Sequence, residues 1–282
     1  MIRVCEPTIT AGDREAIKKC VDEGWISSAG PWLKTFEENF CTYFNCRHSI
    51  ALSNGTAAIE AALYGIGIGC GDEGILPSFN IISGALATLR LGAVPTFVDV
   101  DSDTWCLDPM LVENAITPKT RAIIVVHMYG HPAEMDELMR IAKKHKLKII
   151  EDAAQVHGAE YRGKKCGTIG DVGTFSFYAN KLVTTGEGGM VVTSDDHIAR
   201  RVRSYINLCF GKSDRYLHED IGYNFRMTSM QAALGNSQLS RLDSIVEKKR
   251  SIGLIYKKYL SEDKSLQLQI QLDNAISVYW MY

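Results

Sequence analysis

The sequence predicts an α/β protein whose central, mostly parallel sheet is flanked by helices. Between residues 48 and 152, strand-like apolar segments alternate with helix-like segments, an order typical of parallel strands joined by helical crossovers. The strand-like segments, such as RAIIVVHMYG and LKIIED, are continuous apolar runs, which favours strands covered by helices on both faces. At 282 residues the chain is long enough for one large domain and part of a second. In sheets of this kind, ligands bind beyond the carboxyl ends of the strands.

Two helices are predicted before the first strand. Residues 12–24 predict a short helix that stops at Gly24. A loop containing Gly and Pro then leads into a second helix, whose apolar residues fall at helical spacing: Leu33, Phe36 and Phe40.

A small-residue turn follows the first predicted strand, residues 48–52, and opens an Ala-rich helix. The first N–H groups of a helix have no intrahelical partner, and the helix dipole favours negative charge there. Ser53, Gly55 and Thr56 are therefore candidates for binding a phosphate. The alternative is an ordinary helix cap formed by Ser53 or Asn54.

The stretch from residue 149 to 192 contains the residues that we predict to be catalytic. An apolar strand ends in Asp152, and a second strand, predicted over residues 174–178, delivers Lys181 just beyond its end. An acid and a lysine would then face one crevice. Pyridoxal phosphate requires this pair, because it needs a lysine amine for its aldehyde carbon and a carboxylate for its ring nitrogen.

Each of these residues also has a simpler interpretation. Lys181 could be a surface lysine after a strand, although that does not explain the aromatic strand before it and TTGEGG after it. Asp152 could cap a helix at the end of a strand. Glu151 is assigned to structure or to no role.

The C-terminal part predicts one long helix from Thr228 through residue 260, which leaves the large domain and enters a second one. SLQLQIQL and the residues after it alternate polar and apolar side chains, which predicts a strand and the start of a partner strand. We therefore divide the chain into a large domain, residues 1–240, and a linker helix with the start of a small domain, residues 241–282. The apolar segment Tyr279–Tyr282 is expected to be unpaired or exposed.

Composition excludes several other classes of protein. A net charge of −2 and a pI near 6.4 provide no electrostatic footprint for nucleic acid. No apolar run approaches the roughly 20 residues of a membrane-spanning helix, and the N-terminus lacks the apolar centre of a signal peptide, so a cytoplasmic protein is expected. The eight cysteines are scattered without a CxxC pair, which favours reduced packing residues and no metal site.

An ordered series of motifs carries a family resemblance. EDAAQVHGAEYRGKKCGTIGDVGTFSFYANKLVTTGEGGM, together with SNGTAAI, HMYGHP and GYNFRMTSMQAALG, resembles the DegT/DnrJ/EryC1/StrS family of sugar aminotransferases over nearly the whole chain. The resemblance implies the fold type I of pyridoxal-phosphate-dependent transferases, with a small C-terminal α/β domain that is expected to be incomplete here. It also implies pyridoxal 5'-phosphate as the cofactor.

The resemblance assigns further roles. Lys181 would bind the cofactor and then move a proton between the amino donor and the cofactor, while Asp152 would partner the ring nitrogen. Gln155 resembles the residue that hydrogen-bonds the cofactor's phenolic oxygen. Ser176 resembles a phosphate ligand. Asn224, in GYNFRM, matches the residue that reaches the phosphate in the neighbouring subunit, which implies a homodimer with shared sites.

One position departs from the family pattern. Relatives often place an aromatic residue where Ile81 stands, to stack on the cofactor ring. Phe79 is therefore a candidate for that contact, and the alternative is packing against aliphatic atoms.

The implied reaction converts a keto group on a nucleotide-linked 4-keto-6-deoxy sugar to an amine, with glutamate as the donor. A UDP-linked keto sugar and a non-catalytic relative that binds cofactor or a partner subunit are the alternatives. Related dehydratases carry histidine in place of the lysine, so Lys181 argues against dehydration.

Overall fold

The computed structural model describes residues 5–211, 216–218 and 220–282. Ten strands are found in this part of the chain: β1 (His48–Leu52), β2 (Glu73–Pro77), β3 (Val94–Val98), β4 (Thr120–Val126), β5 (Lys148–Asp152), β6 (Glu160–Tyr161), β7 (Lys164–Lys165), β8 (Val172–Ser176), β9 (Gly189–Thr193) and β10 (Ala275–Ile276). The α-helices of the same ranges are α1 (Ala11–Asp22), α2 (Pro31–Phe44), α3 (Gly55–Ile66), α4 (Ser83–Arg90), α5 (Pro109–Asn114), α6 (Met135–His145), α7 (Asp196–Tyr205), α8 (Ser229–Leu239) and α9 (Leu242–Leu260).

A seven-stranded sheet in the order β1-β9-β8-β5-β4-β2-β3 forms the centre of the fold. Only β9 runs against the others, because it is antiparallel to both β1 and β8 while the remaining pairs are parallel. The predicted mostly parallel sheet is therefore confirmed. The carboxyl ends of β5 and β8 meet at one edge, where ligands bind in folds of this type.

Helices cover both faces of this sheet because its strands are apolar on both sides. Adjacent residues of β5 belong to different core clusters: Ile149 packs on one face and Ile150 on the other. The first face is built around α2, whose Phe40 stacks on Phe44 at 4.3 Å and meets Phe175 of β8 edge-on at 5.1 Å. The second face is packed with the small side chains of α3, which let this helix approach the sheet closely.

The prediction of one long helix from Thr228 is wrong in one respect, because this segment forms two helices. Thr228 does begin a helix, α8, through a capping box with Gln231. The chain leaves helical geometry at Arg241, whose φ is −122° and ψ is 16°. The Arg241 guanidinium donates to the buried Asp13 carboxylate at 2.7 Å and to the carbonyl of Thr8 at 2.9 Å. This anchor to the N-terminal region turns the chain before α9 begins.

The strand predicted over SLQLQIQL is also wrong. No strand lies between residues 261 and 274, all of which the structure describes. The polar side chains bind backbone groups instead: Gln267 donates to the carbonyl of Ser102 at 2.8 Å, and Gln269 donates to that of Met281 at 2.9 Å. Side-chain hydrogen bonds at alternate positions therefore replace a strand ladder.

The C-terminal aromatic segment is mostly buried, and only its last residue, Tyr282, is exposed, at 37%. Tyr279 and Trp280 are 6% and 7% exposed. Just before them, β10 pairs with β6, so that β10, β6 and β7 form a small second sheet. The chain thus returns to the large core after α9, and the division at residue 240 stays a prediction.

Two further observations complete the fold. All eight cysteines lie in the described ranges and are free thiols, as their scattered spacing predicts. Among the described residues no helix is both long and apolar enough to span a membrane.

A buried carboxylate, Glu151, fixes the connection into β8. Its Oε2 accepts the N–H of Gly167 at 2.7 Å, and its Oε1 accepts those of Ile169 and Gly170 at 2.6 Å each. His127 completes the set at 3.0 Å. Because the Nδ1 of His127 accepts a backbone N–H at 3.0 Å, its Nε2 carries the proton and donates to Glu151. Glu151 therefore has a structural role.

Glu151→Gln should destabilise the chain by about 2–4 kcal/mol, because an amide NH₂ would face backbone N–H donors and leave buried groups unpaired. Urea unfolding followed by circular dichroism measures the change. Glu137→Gln is the control, since Glu137 is exposed and pairs with Arg140 at the surface. Equal stability of the two variants would contradict the structural role of Glu151.

Candidate active site

A cavity of about 710 Å³ opens where β5 and β8 end and α3 begins. Its volume lies in the range of small-molecule sites. Five of the residues predicted from sequence line it: Gly55, Thr56, Asp152, Ser176 and Lys181. Residues far apart in the chain therefore meet in one crevice, as the sheet topology requires.

Asp152 lies at the carboxyl end of β5 and is 4% exposed. Its Oδ1 accepts the N–H of Ala154 at 3.1 Å, and no donor in the described part of the chain reaches Oδ2. Burial raises the pKa of this carboxyl, while the Ala154 hydrogen bond and the charge of Lys181 oppose that shift. A buried carboxylate with a free oxygen is suited to hold a cationic group in the cavity.

Lys181 follows β8 on a turn in which its N–H donates to the carbonyl of Tyr178 at 2.9 Å. The strand was predicted to run to Tyr178 but ends at Ser176, since Tyr178 makes only an isolated bridge with Gly186. Burial lowers the pKa of the Lys181 amine to about 8, against the attraction of Asp152. About a tenth of the amine is then neutral at pH 7, compared with roughly one part in 3,000 for an ordinary lysine.

The start of α3 forms a cradle with the end of β8. Asn54 caps the helix by accepting the N–H of Ala57 at 2.8 Å, which leaves the earlier N–H groups of the first turn uncapped. A Cβ at Gly55 would lie 2.7 Å from the Cβ of Ser176, so only glycine allows this approach. Thr56 shares a hydrogen bond of 2.8 Å with Ser83. The cradle combines uncapped N–H groups, hydroxyls and the positive end of a helix dipole.

Two predicted residues support neighbouring loops instead of lining this cavity. The N–H of Ser53 donates to the carbonyl of Phe225 at 2.8 Å. Gln155 accepts the N–H of Tyr129 at 2.7 Å through Oε1, which fixes the turn after β4. Neither residue is among those that line the cavity.

The other two predicted residues also lie outside the cavity wall of the single chain. Phe79 is 45% exposed and packs edge-on against Tyr129 at 6.1 Å. Asn224 forms an isolated bridge with Asn207. Ile81, the position that departs from the family pattern, does line the cavity and is 65% exposed.

Sequence reasoning missed Asn180 and Trp280, which both line the cavity. The Trp280 ring lies 3.8 Å from the Nζ of Lys181, measured to its centroid, and its Nε1 donates to the carbonyl of Asn180 at 2.7 Å. Asn180 could have been noticed as the neighbour of the lysine. For Trp280 there was no signal, because it is about a hundred residues further along the chain.

The chemical groups of the residues at the cavity match the functional groups of pyridoxal phosphate. The cofactor has an aldehyde for an amine, a basic ring nitrogen and a phosphate. The cavity contains a lysine of lowered pKa, a buried carboxylate with a free oxygen and a glycine-dependent cradle for an anion. Each of these three parts of the cofactor therefore has a group of matching chemistry at the cavity.

Known proteins agree with this interpretation. Residues 7–282 match the profile of the DegT/DnrJ/EryC1/StrS aminotransferase family. The GDP-perosamine synthase of Escherichia coli O157:H7 is 40% identical over 99% of this chain and 76% of its own length, and that of Caulobacter vibrioides is 41% identical over 100% and 76%. The crystal structure of S. venezuelae DesV with a ketimine intermediate has a TM-score of 0.91 and 41% identity, covering 96% of this chain and 72% of that one. The chain is therefore a pyridoxal-phosphate-dependent aminotransferase of the DegT/DnrJ/EryC1/StrS family.

Proposed function

We propose that this aminotransferase uses glutamate to convert GDP-4-keto-6-deoxymannose to GDP-perosamine, a precursor for surface polysaccharide, in the cytoplasm. The observation that carries the proposal is the similarity over the whole chain to two GDP-perosamine synthases. The lysine-bearing cavity supports amination, since it contains the groups that such a reaction requires.

Lys181 and Asp152 are the proposed catalytic residues. Pyridoxal phosphate, when bound, supplies an aldehyde that binds amines and a ring that takes up the electron pair left at the donor's α-carbon. Lys181 would bind the aldehyde carbon and, once displaced by the amino donor, would move a proton from the donor's α-carbon to the cofactor. A pKa near 8 allows the amine to do both near neutral pH. The Asp152 carboxylate would keep a proton on the ring nitrogen.

The remaining contacts follow from the cradle and its surroundings. Gly55, Thr56 and Ser176 would hold the phosphate through N–H and hydroxyl groups. Ser53, at the turn before α3, would add a further contact to the phosphate, and Phe79 would contact the ring beside Ile81. In this proposal, Gln155 reaches the phenolic oxygen of the cofactor after a small movement. Asn224 reaches the phosphate of the cofactor in the second subunit.

A homodimer is part of the proposal. An exposed apolar surface lies on α4 and β3, beside the cavity that Ser83 helps to line. Its members are each at least 45% exposed: Ile82, Leu86, Leu89, Val94 and Phe97. Large exposed apolar patches mark interaction sites in many proteins. A second copy packed there would lie at the cavity mouth, where shared sites require it.

Substrate assays separate the alternatives. The chain, loaded with pyridoxal phosphate and glutamate, is expected to aminate the GDP-linked keto sugar and to release 2-oxoglutarate, and mass spectrometry of the sugar nucleotide detects the product. Preference for a UDP-linked keto sugar would replace the proposed substrate. Amination of neither sugar would favour a non-catalytic relative.

Lys181→Ala should abolish the visible absorption band of the lysine-bound cofactor and slow transamination on the order of 1,000-fold or more, because no other amine lines the cavity in the described part of the chain. Absorption spectra and a glutamate half-reaction measure both effects. Lys143→Ala, on the exposed side of α6, is the control. A band and a rate like those of the control would remove Lys181 from the mechanism.

Asp152→Asn should still bind the cofactor but transaminate on the order of 100-fold more slowly, because a neutral amide cannot stabilise a protonated ring nitrogen. Stopped-flow spectra of the glutamate half-reaction separate cofactor binding from turnover. Asp136→Asn serves as the control, since Asp136 is an exposed partner of Arg162. Unchanged turnover in Asp152→Asn would show that another group serves the ring nitrogen.

A further inference from the structure

Trp280, in the C-terminal segment of the chain, packs against the reactive lysine. Its ring centroid is 3.8 Å from the Nζ of Lys181, a close cation–π distance, and the side chain is buried. Its indole N–H donates to the carbonyl of Asn180, the residue before the lysine, at 2.7 Å. One side chain therefore contacts the amine at its face and the adjacent backbone at its edge.

The indole is itself firmly held. The Trp280 carbonyl accepts a hydrogen bond from the ammonium of Lys249, on α9, at 3.1 Å. The segment before it is bound to the turn after β4, since Ser277 and Val278 both donate to the carbonyl of Gly130 at 3.0 Å. Gly130 has a φ of +102°, and a Cβ there would lie 2.6 Å from the Trp280 backbone nitrogen. The ring is thus a fixed surface rather than a loose neighbour.

From these contacts we propose that Trp280 is a positioning residue for Lys181: its indole face holds the free ε-ammonium, while its ring N–H fixes the backbone from which that lysine extends. The amine is free before the cofactor is loaded and again after an amino donor displaces it. Trp280 holds it at the cavity wall in those states, within reach of the reacting atoms. The inference rests on the proposed role of Lys181.

Several titratable groups surround the Lys181 amine, and the Trp280 ring acts on the pKa of that amine together with them. Asp152 faces the amine from β5, Cys5 from the N-terminal segment and His157 from the loop after β5. Burial lowers the pKa of His157 to about 3, so it stays neutral near pH 8, and Lys249 lies behind the Trp280 backbone. The π face attracts the ammonium as Asp152 does and opposes the effect of burial.

The first test is the titration of Lys181 in the cofactor-free chain, by competitive acetylation at a series of pH values and mass spectrometry. The midpoint is expected near 8 in the wild type. Trp280→Leu removes the ring but keeps an apolar side chain, and should lower the midpoint by about one unit, a tenfold loss of proton affinity. Trp280→Phe keeps a π face and should lower it by less than half as much.

Lys18 is the internal control, because it is exposed and its ion pair with Asp22 raises its pKa in every variant alike. A Lys181 midpoint that stays the same or rises in Trp280→Leu would overturn the proposal. The assay needs neither cofactor nor turnover. Its failure is therefore distinguishable from failure of the proposed function, which the Lys181→Ala spectrum tests.

A second measurement leaves Trp280 in place, and so does not depend on the folding of the Leu variant. The ¹⁵N-indole resonance of Trp280, assigned by its loss in Trp280→Phe, should titrate with a midpoint near 8 and stop titrating in Lys181→Met. Trp105, which packs on Tyr129 at 5.7 Å, is the control resonance. A Trp280 resonance that does not titrate, or titrates equally in Lys181→Met, would overturn the proposal.

Discussion

The site depends on the alternation of side chains at the end of β5. Successive residues of a strand point to opposite faces, so Glu151 and Asp152 face different surroundings although they are neighbours. Glu151 enters the core and binds the loop of residues 167–170. That loop packs so tightly on β8 that a Cβ at Gly173 would lie 2.0 Å from the carbonyl oxygen of Gly167. The position of β8, and hence of the residues beyond it, follows from the buried carboxylate of Glu151.

The two carboxylates show how surroundings decide function. Glu151 has four N–H donors, which satisfy its charge and leave no capacity for a ligand. Asp152 is also buried but has a single backbone donor, and its pKa is raised. The pKa of the Lys181 amine is shifted in the opposite direction, to about 8. Buried groups whose pKa values are shifted towards each other are typical of catalytic sites, where charge is held ready for a reacting partner.

Local signals in the sequence predicted much of this site. Asp152 and Lys181 follow apolar strands, and Gly55 opens a helix, so their neighbourhood could be inferred from strand ends and cap residues. The break before α9 could not, because it depends on a hydrogen bond between Arg241 and Asp13, 228 residues apart. Trp280 was missed for the same reason. The alternation in SLQLQIQL predicted a strand, but Gln267 and Gln269 donate to backbone carbonyls in loops, and a period of two does not distinguish these arrangements.

The close approach at the start of α3 links ligand binding to folding. Gly55 lies against Ser176 of β8, while a Cβ at Gly189 of β9 would lie 2.4 Å from the carbonyl oxygen of Asn54. The cradle therefore exists only when α3, β8 and β9 are assembled, and an unfolded chain has no equivalent of it. An anion bound there at 100 times its dissociation constant adds about 2.7 kcal/mol to the free energy of unfolding. With an anion bound at the cradle, resistance to heat is thus a property of the protein and its ligand together.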